Sequence, residues 1–104
     1  MDFGVFNLLQ HRDRSKSPHQ VIEEALSHTR LAEELGFGRV WFAEHHFSNY
    51  SLCPSPLIFC AQAAAMTKRI RVGSAVLILP LHEPARVIAE IALVDTLSGG
   101  RLDV

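Results

Sequence analysis

The chain has 104 residues, the size of one modest domain, and is 48% apolar and 20% charged, the balance of a globular protein. Lys plus Arg (10) against Asp plus Glu (11) leaves a formal net charge of −1, which removes the electrostatic basis for nucleic acid or an anionic membrane as the main partner. The longest apolar runs, residues 75–79 and 57–61, are far too short to span a bilayer, and residues 1–9 lack the basic region and cleavage site of a secretory leader.

Residues 3–9 form a short β-prone run, and the polar residues 11–17 predict a loop. Ser17 followed by Pro18 is an N-cap with proline at the first helical position. Over residues 21–35, Ile22, Ala25, Leu26, Thr29, Ala32 and Leu35 recur at spacings of three and four, the stripe of an amphipathic helix. Glu23, Glu24, Glu33 and Glu34 lie off that stripe, and Gly36 is placed to stop the helix. Residues 39–43 (RVWFA) predict a second strand, apolar on both faces as in a parallel sheet covered on both sides. Ser55-Pro56 repeats the cap and opens a helix over residues 57–66 that is apolar nearly all round, with Ala61, Ala63, Ala64 and Ala65. Residues 71–79 (RVGSAVLIL) predict a third strand, ended by Pro80. His82-Glu83-Pro84 opens a third helix with Val87, Ile88, Ile91, Ala92 and Leu97 on its stripe, stopped by Ser98-Gly99-Gly100. Residues 101–104 predict the beginning of a fourth strand. The two cysteines, Cys53 and Cys60, form no CxxC motif; they argue against a disulfide scaffold and fit a reducing cytoplasm.

The order is β-α-β-α-β-α-β, and helices of this length allow right-handed crossovers between parallel strands. Strands beginning at about residues 3, 39, 71 and 101 give units of roughly 36, 32 and 30 residues, against roughly 31 in a (β/α)₈ barrel, although a doubly wound sheet gives similar spacing. A dinucleotide-binding sheet needs a glycine-rich turn after its first strand. Residues 7–19 hold no glycine, and no P-loop is present, so the barrel is favoured.

In a barrel the chemistry lies at the carboxyl ends of the strands. There the sequence places residues 7–14, then Glu44-His45-His46-Phe47, then Pro80-Leu81-His82. A carboxylate and two imidazoles straight after an apolar strand cost desolvation unless they meet a polar cavity. Adjacent histidines in an extended segment point apart. A metal site therefore needs a different grouping, His45 with His82 and a carboxylate, and ranks second. Trp41 and Phe42 are read as core, His11, His19 and His28 as surface, His82 as a candidate cavity residue, and Asp95 and Arg101 as ties between the third helix and the fourth strand.

The stretches GFGRVWFAEHHF (36–47), VGSAVLILPLHEPARV (72–87) and DTLSGGRLDV (95–104), with the opening Phe3-Gly4-Val5-Phe6, closely resemble the bacterial luciferase-like flavin-dependent monooxygenases. The likeness covers essentially the whole chain in the family's order and spacing. It implies a (β/α)₈ barrel roughly three times this length, of which residues 1–104 would be the first three βα units and the start of strand four, truncated at the C-terminus. It implies reduced FMN at the barrel mouth, O₂ as co-substrate, a small organic substrate to be oxygenated, and a flavin reductase as supplier. Some relatives use the deazaflavin F420 for hydride transfer instead.

By motif position His45 matches the family's catalytic general acid/base, a role suited to a side chain that exchanges protons near neutrality. Glu44 matches a carboxylate beside the flavin, and Ala75-Val76 match a non-prolyl cis peptide that supports the ring. The small Gly73, Ser74 and Ala75 would let a flat ring approach the backbone, although the same glycine suits a bulge. No metal ligand is assigned. The second and third helices are expected at a homodimer interface. The family's phosphate-binding residues belong to later strands, so this polypeptide alone is expected to bind FMN weakly and turn over nothing. The alternatives are a non-catalytic half-barrel that self-associates through its open edges, an F420-dependent oxidoreductase, and a metal-dependent barrel hydrolase.

Overall fold

A computed structural model describes residues 1–104. Its four strands, β1 (Gly4–Asn7), β2 (Arg39–Phe42), β3 (Arg71–Ser74) and β4 (Leu102–Asp103), lie in one sheet in the order β1-β2-β3-β4. Every pair is parallel. Between them run α1 (Pro18–Glu34), α2 (Pro56–Met66) and α3 (Pro84–Ser98). A doubly wound sheet reverses its strand order to carry helices on both faces. Here the order advances by one strand each time, so right-handed crossovers put all three helices on the same side. That arrangement is part of a (β/α)₈ barrel, and it separates the two folds that spacing alone left open. No helix is long and apolar enough to cross a membrane.

The helix-side face carries the core. Val40, Phe42 and Val72 are completely buried there, against Cys60, Ala63 and Ala64 of α2 and Val87 and Val94 of α3. Residues two apart share a face, so Trp41, Gly73 and Asp103 look the other way. On that side the Trp41 indole lies across its neighbours. A Cβ on Gly73 would sit 2.5 Å from Trp41 Cζ3 and 2.8 Å from the Asp103 carbonyl oxygen, and one on Gly4 would sit 3.1 Å from Trp41 Nε1. Gly73 is thus a seat for the indole, neither a bulge nor an opening for a ligand. The expectation of strands apolar on both faces is corrected. The second face is only partly covered, with Phe6 53% exposed, and at its lower end it is charged. Arg71 grips the Asp103 carboxylate at 2.6 to 3.0 Å, and Arg39 bridges Asp103 and Asp2.

The helix ends show which local signals operate. Ser17 Oγ accepts the Gln20 amide at 3.2 Å while Gln20 Oε1 accepts the Ser17 amide at 2.7 Å, a reciprocal capping box. Ser55 makes no side-chain cap bond, so Pro56 alone carries the N-terminal signal of α2. Glu83 caps α3, accepting the Arg86 amide at 2.7 Å. Glu33, which lies off the apolar stripe of α1, does more than face solvent. Its Oε1 accepts the amides of Lys68, Arg69 and Ile70 at 2.9, 2.6 and 3.0 Å. It thereby joins the end of α1 to the entry of β3. Arg101 ties the C-terminus of α2, donating to the carbonyls of Ala64 and Ile70 at 2.8 and 3.0 Å and to the Ser98 carbonyl at 2.7 Å.

Four element expectations need correction. The first strand occupies only Gly4–Asn7 of the 3–9 run. The third ends at Ser74 rather than at residue 79, because the backbone turns after Val76 toward a 3₁₀ turn, Leu79–Leu81. The stripe of α3 is narrower than its apolar residues suggested. Val87, Val94 and Ser98 are buried, whereas Ile88 and Leu97 are 66% and 63% exposed, since α3 meets the rest of the chain along one edge only. Leu35, on the α1 stripe, lies past the end of that helix and is 67% exposed.

Gly73→Ala is expected to destabilise the chain by about 1–3 kcal/mol through overpacking against the indole and the fixed β4 backbone. Urea unfolding followed by the fluorescence of Trp41, the chain's one tryptophan, measures it; an unchanged midpoint would refute the packing argument.

Candidate functional site

The contact between β2 and β3 continues past their last paired residues. The Ala75 amide donates to the Phe42 carbonyl at 2.9 Å, and the Glu44 amide to the Val76 carbonyl at 3.3 Å. The β2–α2 loop then folds back on itself, with the His45 amide donating to the Cys53 carbonyl at 2.8 Å. The β1–α1 loop is drawn in beside it, through Leu52 N–H to the Leu9 carbonyl and His11 N–H to the Asn49 carbonyl, at 2.9 and 3.0 Å. Three loops thus meet at the carboxyl ends of three parallel strands.

His45 is half-buried in this meeting point. Its ring stands edge-on to Tyr50, centroids 4.9 Å apart, and the Arg12 guanidinium lies 5.5 Å from the Tyr50 centroid. No hydrogen bond within the chain engages its ring nitrogens. The ring is therefore located by packing and has both nitrogens uncommitted.

Glu44 differs in every respect. Its side chain is completely enclosed. Oε2 accepts the Ile78 amide at 2.6 Å. Oε1 accepts from Nε2 of His46 at 2.6 Å and of His82 at 2.9 Å, and the His82 nitrogen also lies 3.0 Å from Oε2. Burial pushes this carboxyl upward, but the Ile78 amide and the two imidazoles outweigh it and hold the group below the ordinary carboxylate value. The carboxylate–imidazole cluster that forms is thus Glu44 with His46 and His82. His45 does not join His82, the grouping on which a metal reading depended. Sequence reasoning missed His46. The signal was available, because residues two apart in an extended segment share a face, which pairs Glu44 with His46 as surely as it parts His46 from His45.

Ser74 ends β3 on the same face as Val72 and is 8% exposed. Ala75 is half-buried, Val76 is 62% exposed, and the peptide bond between them is cis, as the resemblance implied. Phe47, next to the histidine pair, is fully exposed with φ +52°. Ser51 Oγ is buried without a hydrogen-bond partner. Cys53 and Cys60 are buried free thiols, pushed up to about 12 by desolvation, so neither is a nucleophile near neutrality.

Residues 1–104 match the family model described as luciferase-like monooxygenase. The chain is 36% identical over 101 residues to the alkanal monooxygenase alpha chain of Photorhabdus laumondii, covering 97% of this chain and 28% of that protein. It is 30% identical over 104 residues to the oxygenase component of the flavin-dependent trigonelline monooxygenase of Acinetobacter baylyi, covering all of this chain and 29% of that one. The crystal structure of monooxygenase RslO1 from Streptomyces bottropensis superimposes with a TM-score of 0.93 at 37% identity, over 100% of this chain and 32% of that one. The chain therefore spans about three tenths of the length of these relatives.

The lowered Glu44 titration makes stability depend on pH in one direction. Its stabilising share is complete above the ordinary value of 4.5 and is lost as the pH falls through the lower folded-state value. The stability gap between the unmodified chain and Glu44→Gln is expected to narrow from about pH 6 to pH 3, as read from urea midpoints. Glu33 and Asp103, which are also lowered, are common to both proteins and cancel. A gap independent of pH would mean that Glu44 is not ionised in the fold.

Proposed function

The chain belongs to the luciferase-like monooxygenase family, and on that premise we propose that it forms the histidine-bearing wall of a flavin site in an enzyme that oxygenates a small organic substrate. The observation that carries this reading is His45: a half-buried imidazole with uncommitted nitrogens, at the carboxyl ends of the strands, one residue beyond the backbone bond from Glu44 to Val76. A planar, largely apolar cofactor needs an apolar ledge beside a proton-exchanging group. The exposed Val76 and half-buried Ala75 supply the ledge, and His45 supplies the group. The fit is to the ring of reduced FMN, whose chemistry when bound is to deliver electrons to O₂. The flavin-dependent relative supports this cofactor.

The residues of this chain have separate roles in this reading. Ala75 and Val76 support the ring. His45 holds or moves a proton at its free nitrogen, kept in place by Tyr50. Tyr50 covers one side of that imidazole ring. Trp41 and Phe42 are scaffold. Reduced flavin comes from a separate reductase, in line with the relative named as an oxygenase component. The exposed apolar residues of α2 and α3, Ile58, Ile88, Leu93 and Leu97, form the surface for a second copy, and the enzyme works in the cytoplasm.

Anaerobic titration of FMN, reduced and oxidised, into the purified chain tests the site. Saturable quenching of the oxidised flavin is expected. His45→Ala is expected to leave that binding within about threefold while changing the rate at which O₂ reoxidises the bound flavin. Quenching that never saturates, or a reoxidation rate indifferent to His45, would overturn the assignment.

A further inference from the structure

The flavin reading accounts for His45 and the Val76 ledge but leaves the most enclosed ionised group of the chain without a role. Resting on that reading, we propose that Glu44 is a positioning residue that latches the segment from Val76 to Glu83 onto the end of β2, and so sets the height of the cofactor ledge relative to His45.

The segment has little else to hold it. Strand pairing ends at Ser74. Beyond it the chain makes a single 3₁₀ turn, Leu79–Leu81, whose outer side chains Leu79 and Leu81 are 60% and 61% exposed. No apolar anchor of full burial lies between Ala75 and Pro84. Leu77 packs half-buried against the core, and the one polar side-chain link from this stretch to the end of β2 is a carboxylate. It accepts the Ile78 amide, two residues past the ledge, and Nε2 of His82, two residues before the first residue of α3. The same carboxylate accepts Nε2 of His46, the neighbour of His45. One enclosed group thus fixes the ledge from behind and the histidine-bearing loop from the side.

The chemistry of the group supports positioning rather than ligand contact. A carboxylate offers about four lone-pair sites, and the four contacts from Ile78, His46 and His82 occupy them. With its side chain completely enclosed, it presents no surface to a bound molecule. A carboxylate only accepts, so Nε2 of both imidazoles carries a proton. An ionised acceptor makes stronger bonds than a neutral amide in the same place, and Gln at this position has one acceptor oxygen where Glu44 uses two.

Amide hydrogen exchange and ring ¹⁵N spectra of the full 104-residue chain, with FMN quenching alongside, test the latch. In the unmodified chain the Ile78 amide is expected to be protected although it lies in a loop, and His46 and His82 to show Nε2–H signals. Glu44→Gln is expected to speed exchange at Ile78 by about tenfold or more while Val40 and Val72 keep their protection, and to weaken FMN by a similar factor. His82→Gln is expected to do the same in smaller measure. An unprotected Ile78 amide, rings protonated on Nδ1 only, or an FMN affinity within about twofold of the unmodified chain once Ile78 protection is lost, would each overturn the latch. Should Glu44→Gln fail to fold, the unmodified chain and His82→Gln decide the question equally well. Should the unmodified chain bind no FMN, the flavin reading falls, and the Ile78 amide and ring protons still judge the latch.

Discussion

A charge removed from water must be met by donors or it is not tolerated, and Glu44 places that demand at the centre of the candidate site. The demand is satisfied by groups both near and far in sequence: its neighbour but one, His46, and two groups beyond β3, the Ile78 amide and His82. A backbone amide and a pre-helical histidine converge on one carboxylate only if β2 and β3 are adjacent, parallel and in register, as they are. The satisfied carboxylate is thus both a consequence of the sheet order and a reason why the loops above it take one arrangement.

The two ends of the sheet treat charge differently. At the entry end, the Asp103 carboxyl is held below its ordinary value, chiefly by Arg71 with help from Arg39. Guanidinium groups stay charged at any working pH, so this end is electrically fixed. At the exit end the partners of the buried carboxylate are two imidazoles and a main-chain amide. The same fold therefore carries an ionic layer of guanidinium groups below and a carboxylate held by imidazoles above. Trp41 lies between them, with its indole across Gly4 and Gly73.

Much of the architecture was legible because it is written in side-chain periodicity. The Ser17-Pro18 start, the stripe of α1 and the alternation of strands and helices follow from residue types at fixed spacings, and the structure reproduces them. Periodicity was silent on strand order, since a barrel and a doubly wound sheet need the same elements. It overstated β3, because the apolar run 75–79 looks like continued strand while its backbone has left the ladder. It also assigned Ile88 and Leu97 to a buried stripe when they are exposed. An apolar residue reports that it belongs against something, not that the partner lies within the same 104 residues.

The site divides along a similar line. Glu44, His45 and His46 stood out from sequence together because polar residues after an apolar strand are costly, and the family likeness singled out Glu44 and His45 and added Ser74, Ala75 and Val76. Neither route distinguishes an imidazole that is held from one that is free. That depends on which face of the backbone each residue takes and on what stands opposite. The decisive partner of Glu44 is the main-chain amide of Ile78, which every residue except proline possesses and which leaves no mark on the sequence. His45 is interpretable only in contrast with it: of two adjacent histidines, one is tethered by a buried carboxylate and the other is packed against Tyr50 with its nitrogens unspent. Each tethered imidazole spends Nε2 on that carboxylate, whereas His45 spends neither nitrogen and is located by its packing against Tyr50.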